Sequence, residues 1–581
     1  MNRIASSFSH FAKNWKNLTV CLGLFAMSFA QAAPSIPVEL RENSLVYCTS
    51  ISGLSFNPQK ADVGTNLGVV TEQIYDKLFE FDPHTQRLKP MLAEHYEVND
   101  DGLEIVLHLR KNVHFHQTPW FTPSRRLNAE DVVFSLNRMI GRLEELPALA
   151  HEVRADNYFE QLQREAYQNK AAPVHYAYFE KMALKNQIES VSALNSHTVK
   201  IRLTVPNNHF LDHLASQYAV ILSKEYALQL NADDNLVQLD RLPVGTGVYQ
   251  LASYPSNDYV RLTPNPNYWG KPAQVANLVV DFSTNGTGRM AKLLNHECDV
   301  MAYPEPSQVL SLQQMSEVQT QFAQAEGANL SFLAFNMQSP VMQAVEFRQK
   351  IAKAINRARI AQRLFYGFAE VADNVLPNVM YPTLNLNSYQ PTLPAESEQT
   401  KEKPTKLRFW VVDESRIFNP HPMKMAEMIR ADLQKVGIEV EILPVTRAYI
   451  AQHYLAQPAK YDMVLTGWLA NNADPNGFLM PILSCQTQNE VMNLTHWCDE
   501  EMDEWLKLAT LSHEPLAKNM LLRLTQYQLE QQLPILPLVH AHHVVVGNQR
   551  VHGLNVSPFG FVRLSELSLA DKPVTQSKKD E

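Results

Sequence analysis

Two periods alternate in the apolar positions of the chain. Leu45-Val46-Tyr47 reads as a short strand and Phe56-Asn57-Pro58 as a turn, while Leu67, Val70, Ile74, Leu78 and Phe81 recur at spacings of three and four and predict a helix. After the turn Asn99-Asp100-Asp101-Gly102, Glu104 to Leu109 alternates with Ile105, Leu107 and Leu109 on one face, the pattern of a half-buried strand. Asn128, with Asp131 three positions on, predicts a capped helix through Met139, because short polar side chains accept bonds from the orphan N–H groups of a first turn. Residues 141–195 are charged and read as helical, and strands follow at Val199 to Leu203, Tyr249 to Leu251 and Leu278 to Phe282.

A second series starts near residue 290. Met290 to Leu294 reads as helix, Leu330 to Phe335 as an apolar strand, Val345 to Ile355 as helix and Leu407 to Val412 as strand. Asn419-Pro420 offers a cap and a helix start, Met425, Met428, Ile429, Leu433 and Val436 form one apolar stripe, Gly437 ends it, and Ile438 to Leu443 alternates as the next strand. This β-α-β order requires sheets covered by helices, an α/β fold. Pro391 to Lys406 reads as an exposed loop and Asp571 to Glu581 as a disordered tail.

At 581 residues the chain has room for three to five domains, and with 45% hydrophobic and 19% charged residues its composition is that of an ordinary globular protein. The N-terminus adds a compartment. Arg3, Lys13 and Lys16 precede an apolar run of 13 residues, Leu18 to Ala30, and Ala30-Gln31-Ala32 forms a small-residue cleavage site, which reads as a secretory signal peptide over residues 1–32. The run is shorter than the roughly 20 residues of a membrane span. Removing the three cations takes the formal charge from −9 to −12, a field that disfavours nucleic acid and admits a cationic partner.

Four cysteines remain after the leader, Cys48, Cys298, Cys485 and Cys498. In an oxidising compartment an even number suggests two disulfides, with three pairings open from sequence. The polar, loop-like segment between Cys485 and Cys498 favours those two as a local pair, worth roughly 3 kcal/mol in the chain-entropy account. Cys48 would then bond to Cys298, and a domain would be built from distant stretches of chain.

The chemistry of most enzyme classes is missing from the sequence. It holds no G-x-S-x-G elbow, no phosphate-binding G-x-x-x-x-G-K-[ST] loop and no H-E-x-x-H helix, and Gly245-Thr246-Gly247 and Gly286-Thr287-Gly288 read as ordinary turns. His540, His542 and His543 cluster, as do His114 and His116 on one face of an extended segment, and all five read as structural or exposed histidines. The short basic runs lack interleaved aromatics and read as solvated surface.

A series of strings in fixed order carries a family likeness. Val46-Tyr-Cys-Thr through Phe56-Asn-Pro, Leu92-Ala-Glu-His-Tyr-Glu-Val-Asn-Asp-Asp-Gly-Leu, Leu109-Arg-Lys-Asn-Val, Leu127-Asn-Ala-Glu-Asp-Val-Val-Phe-Ser, Pro243-Val-Gly-Thr-Gly-Val-Tyr and Gly467-Trp to Asp474-Pro resemble the large periplasmic peptide-binding proteins of ABC transporters, the family 5 solute-binding proteins, over nearly the whole mature chain. Trp120-Phe-Thr-Pro-Ser-Arg, His296-Glu-Cys-Asp-Val, Leu533-Pro-Ile-Leu-Pro-Leu and Ser557-Pro-Phe-Gly look like a branch of that family implied in peptide uptake, including cationic antimicrobial peptides, and in resistance to them.

The resemblance implies a two-lobed periplasmic binding protein of the cluster C type, with an extra subdomain inserted in lobe one and a hinge of two crossing strands. It places lobe one at 33–75, 195–285 and 540–581, the insert at 76–194 and lobe two at 286–539, and it implies the pairing Cys48–Cys298 with Cys485–Cys498. The implied function is that of a monomeric receptor in the periplasm of a Gram-negative bacterium. It captures a peptide, delivers it to an inner-membrane ABC permease, performs no catalysis and needs no cofactor or metal, haem entering only as cargo. A dipeptide or haem receptor of the same fold is the alternative, followed by a periplasmic chaperone or nucleic-acid-binding protein. Arg416 occupies the place of the arginine that holds a peptide carboxylate, a role suited to a bidentate guanidinium. The family's aspartate for the peptide amine is replaced by Asn471, which lacks the charge, so short free peptides should bind less well. Trp468 and Asp474 complete the expected ligand-binding set, Trp468 as a stacking surface or as core, and Asp474 with a structural role in an Asp-Pro turn as the favoured alternative.

Overall fold

The computed structural model describes residues 36–49, 56–60, 68–82, 87–142, 179, 182–233, 235–254, 259–282, 286–315, 317, 319–380, 405–456, 458–470, 473–512 and 514–570. The expected signal peptide, the loop at 391–404 and the tail lie outside this set. The chain divides into a unit Met1–Asn43, whose described part is a helix at Val38–Glu42, and a unit Ser44–Glu581, which carries the architecture below.

Three sheets organise the larger unit among the described residues. A seven-stranded sheet runs in the order Thr320–Ala325, His543–Asn548, Val300–Ala302, Leu45–Cys48, Leu278–Asp281, Tyr259–Pro264 and Tyr249–Ser253. Leu45–Cys48 lies parallel to both neighbours and is buried at every position, as an unbroken apolar run in a doubly covered sheet must be. A six-stranded sheet runs in the order Ala369–Val371, Ile535–Ala541, Asn329–Phe335, Met463–Leu469, Thr405–Val412 and Ile438–Val445. Its central strands send alternate residues to two cores. Leu330, Phe332, Trp410, Val464 and Trp468 enter one, while Leu333, Phe335, Phe409, Val411 and Leu465 enter the other, where Met425, Ile429 and Leu433 of the helix Pro422–Lys435 cover them. A four-stranded antiparallel sheet, Ala93–Val98, Glu104–Leu109, Thr198–Leu203 and Ile188–Asn195, joins the core of the seven-stranded sheet through Ile105, Leu107 and Leu109.

The fold is the two-lobed one, and the chain passes between the large sheets twice, from Ala325 to Asn329 and from Ala541 to His543. The strands Val300–Ala302 and Thr320–Ala325 belong to the seven-stranded sheet, so the first crossing falls well after the boundary expected at residue 286. Both disulfides are formed, Cys48–Cys298 beside that sheet's central strand and Cys485–Cys498 across the local loop.

Several expected elements shift. The helix expected over 67–81 ends at Ile74, because Phe79–Asp82 pairs as a strand with Arg87–Pro90, and both Leu78 and Phe79 are buried in its new course. Residues 188–195, read as helical, form a strand paired with Thr198–Leu203, whose cross-strand partners override the local charge pattern. The strand at Thr405 starts inside the expected loop. Asn419 does not cap a helix. Its N–H donates to Arg416 O at 2.9 Å and its own carbonyl accepts from Arg416 N–H at 3.0 Å, closing a turn, and the helix starts at Pro422. The Asn128–Asp131 capping box and the halt at Gly437, with φ of 77°, are as expected.

Candidate functional site

A cleft of about 1190 Å³ lies where the two large sheets meet. One wall comes from the side of the seven-stranded sheet, including Glu72, Asp76, Arg110, Tyr268, Trp269 and Arg289. The facing wall is Ala328, Phe365, Phe368, Ser415, Arg416, Ile417 and Leu469. Seven carboxylates and seven Lys or Arg side chains line it (Glu72, Asp76, Glu80, Asp82, Asp212, Glu305 and Glu566 against Lys77, Lys89, Arg110, Lys271, Arg289, Arg416 and Arg563). Many pair with each other: Lys77 with Glu72 at 2.8 Å, and Arg563 with Glu80 at 3.0 Å.

The most organised part is built around Asp76. Its carboxylate accepts from the Trp269 indole at 2.8 Å and from the Thr246 hydroxyl at 2.9 Å. Burial pushes the carboxyl up to about 6, and those two bonds offset only part of that effect. The Arg110 guanidinium lies 4.4 Å from the Trp269 ring centroid, a cation–π contact that fixes the indole. Gly245-Thr246-Gly247 makes the arrangement possible. A Cβ on Gly245 or Gly247 would sit 2.0 or 2.4 Å from the backbone oxygens of Ile74 and Gln73, so only glycines let this segment approach the helix end and aim Thr246 at Asp76. His116 holds the same segment from behind, accepting from Gly245 N–H at 3.3 Å and donating to Gly247 O at 2.9 Å, and burial lowers its pKa to about 4, so the ring is neutral. Asp76, Trp269 and Thr246 are absent from the residues singled out by sequence. The glycine pair was the available signal, and it read as an ordinary turn.

At the hinge end, Asn329 brackets the second crossing. Its amide donates to Ala541 O at 2.8 Å, and its carbonyl oxygen accepts from Ala541 N–H at 3.0 Å. His542 and His543 follow and line the cleft. Beside Asp212, which lines the cleft rim, His209 donates to Asp212 at 2.5 Å and accepts from Lys518 at 2.5 Å, Asn208 N–H reaches Thr510 O at 3.4 Å, and His213 lies 4.0 Å from Asp474. Burial alone would lower the His209 pKa, but the Asp212 hydrogen bond and the Asp474 and Asp212 charges raise it overall, while burial lowers Lys518.

The residues expected to bind ligand divide. Arg416 lines the cleft, donates to Glu414 at 3.1 Å and shares that carboxylate with Arg447. Trp468 does not line it. Strand alternation turns the indole into an apolar core at 5% exposure, the second of the two roles the sequence offered for it, and Leu469 faces the cleft instead. Asp474 is buried at the N-terminus of the helix Pro475–Leu483, where it accepts from Asn476 and Gly477 N–H at 3.0 Å each, the structural role of a cap at its Asp-Pro turn. Asn471 lies outside the described residues.

Two α/β lobes with a chain that crosses twice beneath a large cleft define a solute-binding protein. The model for the bacterial extracellular solute-binding proteins, family 5, matches residues 87–490, and the chain belongs to this family. It is 43% identical over 561 residues to the peptide transport periplasmic protein SapA of Haemophilus influenzae, covering 95% of this chain and 98% of that protein. It is also 30% identical to the dipeptide-binding protein of Escherichia coli, covering 94% and 98%. A crystal structure of a dipeptide-binding protein from Pseudoalteromonas sp. SM9913 in complex with Met-Leu matches with a TM-score of 0.74 at 30% identity, covering 91% of this chain and all of that one. Among the described residues no helix is long and apolar enough to cross a membrane.

Proposed function

We propose that this protein is the periplasmic receptor of a peptide ABC importer, closing its lobes over a peptide and handing it unaltered to an inner-membrane permease. The observation that carries the reading is the cleft itself. At about 1190 Å³ it exceeds the roughly 300–1,000 Å³ of small-molecule pockets, and its lining carries as many carboxylates as Lys and Arg side chains. That balance suits a zwitterionic chain of several residues better than a dipeptide or a flat apolar macrocycle, so dipeptide and haem cargo are less favoured. The likeness to peptide-transport and dipeptide-binding relatives supports the same class.

In this reading Arg416 holds the ligand carboxylate, sharing its guanidinium between that group and Glu414, and Asn471 stands at the amine end. Calorimetric titration of the mature protein with peptides of two to six residues and with haem tests it. Binding should strengthen beyond the dipeptide. Arg416→Lys should weaken it about tenfold or more, as loss of a charge-assisted bidentate contact does, and Asn471→Asp should strengthen dipeptide binding. Absence of heat with every peptide, together with scattering profiles unchanged by them, would reject the proposal.

A further inference from the structure

We propose that the outer face of the four-stranded sheet carries a binding site for a borderline divalent metal ion, with zinc as the type case, formed by His95, Glu97 and His108. The strands Ala93–Val98 and Glu104–Leu109 bring the three together. Alternation buries Ile105, Leu107 and Leu109 and turns His108 outward, and an irregularity between Ala93 and His95 shifts the register so that His95 stands directly opposite His108. Glu97, two positions on, shares the face of His95.

The donors are already grouped. The two imidazoles stack with centroids 4.1 Å apart and planes 12° from parallel, and Glu97 Oε1 lies 3.2 Å from His108 Nε2. All three donor atoms fall within 4.8 Å of one another. Tetrahedral coordination with bonds of 2.0–2.2 Å needs donors about 3.3 Å apart. The carboxylate–imidazole pair has that spacing, and His95 can close the remainder by side-chain rotation because it is exposed. The cations nearby are engaged elsewhere: Arg202 pairs with Glu104 and Glu189, and Lys200 lies 3.6 Å from Glu104. Two imidazoles and one carboxylate select zinc, nickel or copper over calcium or magnesium, which prefer all-oxygen shells, and three protein ligands leave a position for water or an outside donor.

The site is separate from the cleft, so its test does not depend on the peptide reading. Mature protein is titrated calorimetrically with zinc chloride and with magnesium chloride, beside His95→Ala, His108→Ala, the double variant and Glu97→Gln, each checked for unchanged circular dichroism and peptide binding. Zinc should bind and magnesium should not. Each single histidine variant should weaken zinc at least about tenfold, the scale of perturbing a metal's ligand support, the double variant should abolish the site, and Glu97→Gln should fall between them and wild type. Zinc binding unchanged in the double variant would assign the metal to other histidines, such as those at the hinge, and overturn the proposal. Absence of wild-type binding at 100-fold molar excess of zinc would do the same.

Discussion

The hinge and the contact beside Asp212 at the cleft rim are built from different chemistry. At the hinge, one neutral amide, Asn329, holds the backbone of Ala541 through two buried hydrogen bonds, and a Cβ on nearby Gly327 would fall 2.1 Å from Ala541 O. At the rim, apart from one backbone bond from Asn208 to Thr510, the contacts are between side chains that titrate or carry charge, His209, Asp212, Lys518, His213 and Asp474. A buried amide pair gains little if it opens, because it exposes nothing that water solvates much better. Charged groups at a rim lose hydration on closing and recover it on opening, so their net contribution is small either way. In a receptor that shifts between open and closed states, such a hinge would stay formed and such a rim would be remade in each cycle.

The largest effects should follow from breaking the hinge. Asn329→Ala leaves the N–H and C=O of Ala541 buried without their partners, at about 1–3 kcal/mol for each unsatisfied group, so a loss of about 2–4 kcal/mol is expected in urea unfolding. Gly327→Ala should be worse, since the clash is with backbone and Asn329 together. A loss below about 1 kcal/mol for both would show that the amide clamp does not hold the crossing.

Acid should find the hinge next. Burial, with His542 beside it, lowers the His543 pKa to about 4, against 6.5 for an exposed imidazole. A base whose folded value is depressed contributes stability above its unfolded pKa and loses it as pH falls toward the folded one. Between pH 7 and 5 the unfolded chain takes up a proton that the folded hinge refuses, costing about 2 kcal/mol. His116 acts with the same sign in the body of lobe one. The specific readout is therefore the pH slope of stability in His543→Gln against wild type, which should be shallower in the variant. Equal slopes would mean that His543 protonates freely.

Asp76 works in the same window with the opposite sign. Its folded pKa of about 6 lies above the ordinary carboxyl value, so the stability linked to its proton is fully present at low pH and is lost as pH rises through 6. From pH 7 to 5 it should return about 1 kcal/mol, partly masking the loss at His543. Asp76→Asn should steepen acid destabilisation over that interval, and no steepening would place the Asp76 pKa near its unshifted value.

Much of this comparison was legible in the sequence in one direction only. The sheets could be read because strands such as Leu330 to Phe335 and Leu407 to Val412 are short segments dominated by apolar residues, interrupted only by Ser331 and Arg408, and the Asn128 cap follows from local chemistry. Arg416 reached the cleft because its loop precedes a helix whose stripe is unmistakable. Trp468 and Asp474 were left between two roles because strand phase and capping are decided by a single residue's register, which spacing does not resolve. Asp76, Trp269 and Asn329 were missed for another reason. Each draws its role from a partner remote in sequence, the longest being Asn329 to Ala541, 212 positions away, and no local pattern marks a residue whose function is to meet a distant one.

The smallest stability change should come from the rim, and it separates the rim from the hinge most directly. Lys518→Met keeps an unbranched apolar side chain at this position of the helix Pro515–Gln532 and removes the ammonium that reaches His209. Were the lobes fixed in place, Asp212 and Asp474 would lose a nearby positive charge inside a low-dielectric contact, and stability would fall by several kcal/mol, as for one half of a buried pair. If the rim opens, those groups reach water instead, so global unfolding should change by less than about 1 kcal/mol while the ligand-free protein shifts toward its open form. X-ray scattering of the free variant should give a larger radius of gyration than wild type, and saturating peptide should bring the two back to the same value with a weaker apparent affinity, reduced by the fraction of closed molecules lost. A large drop in stability with no change in radius would make the rim a permanent seam like the hinge, and the contrast between the two would then lie only in which residues form them.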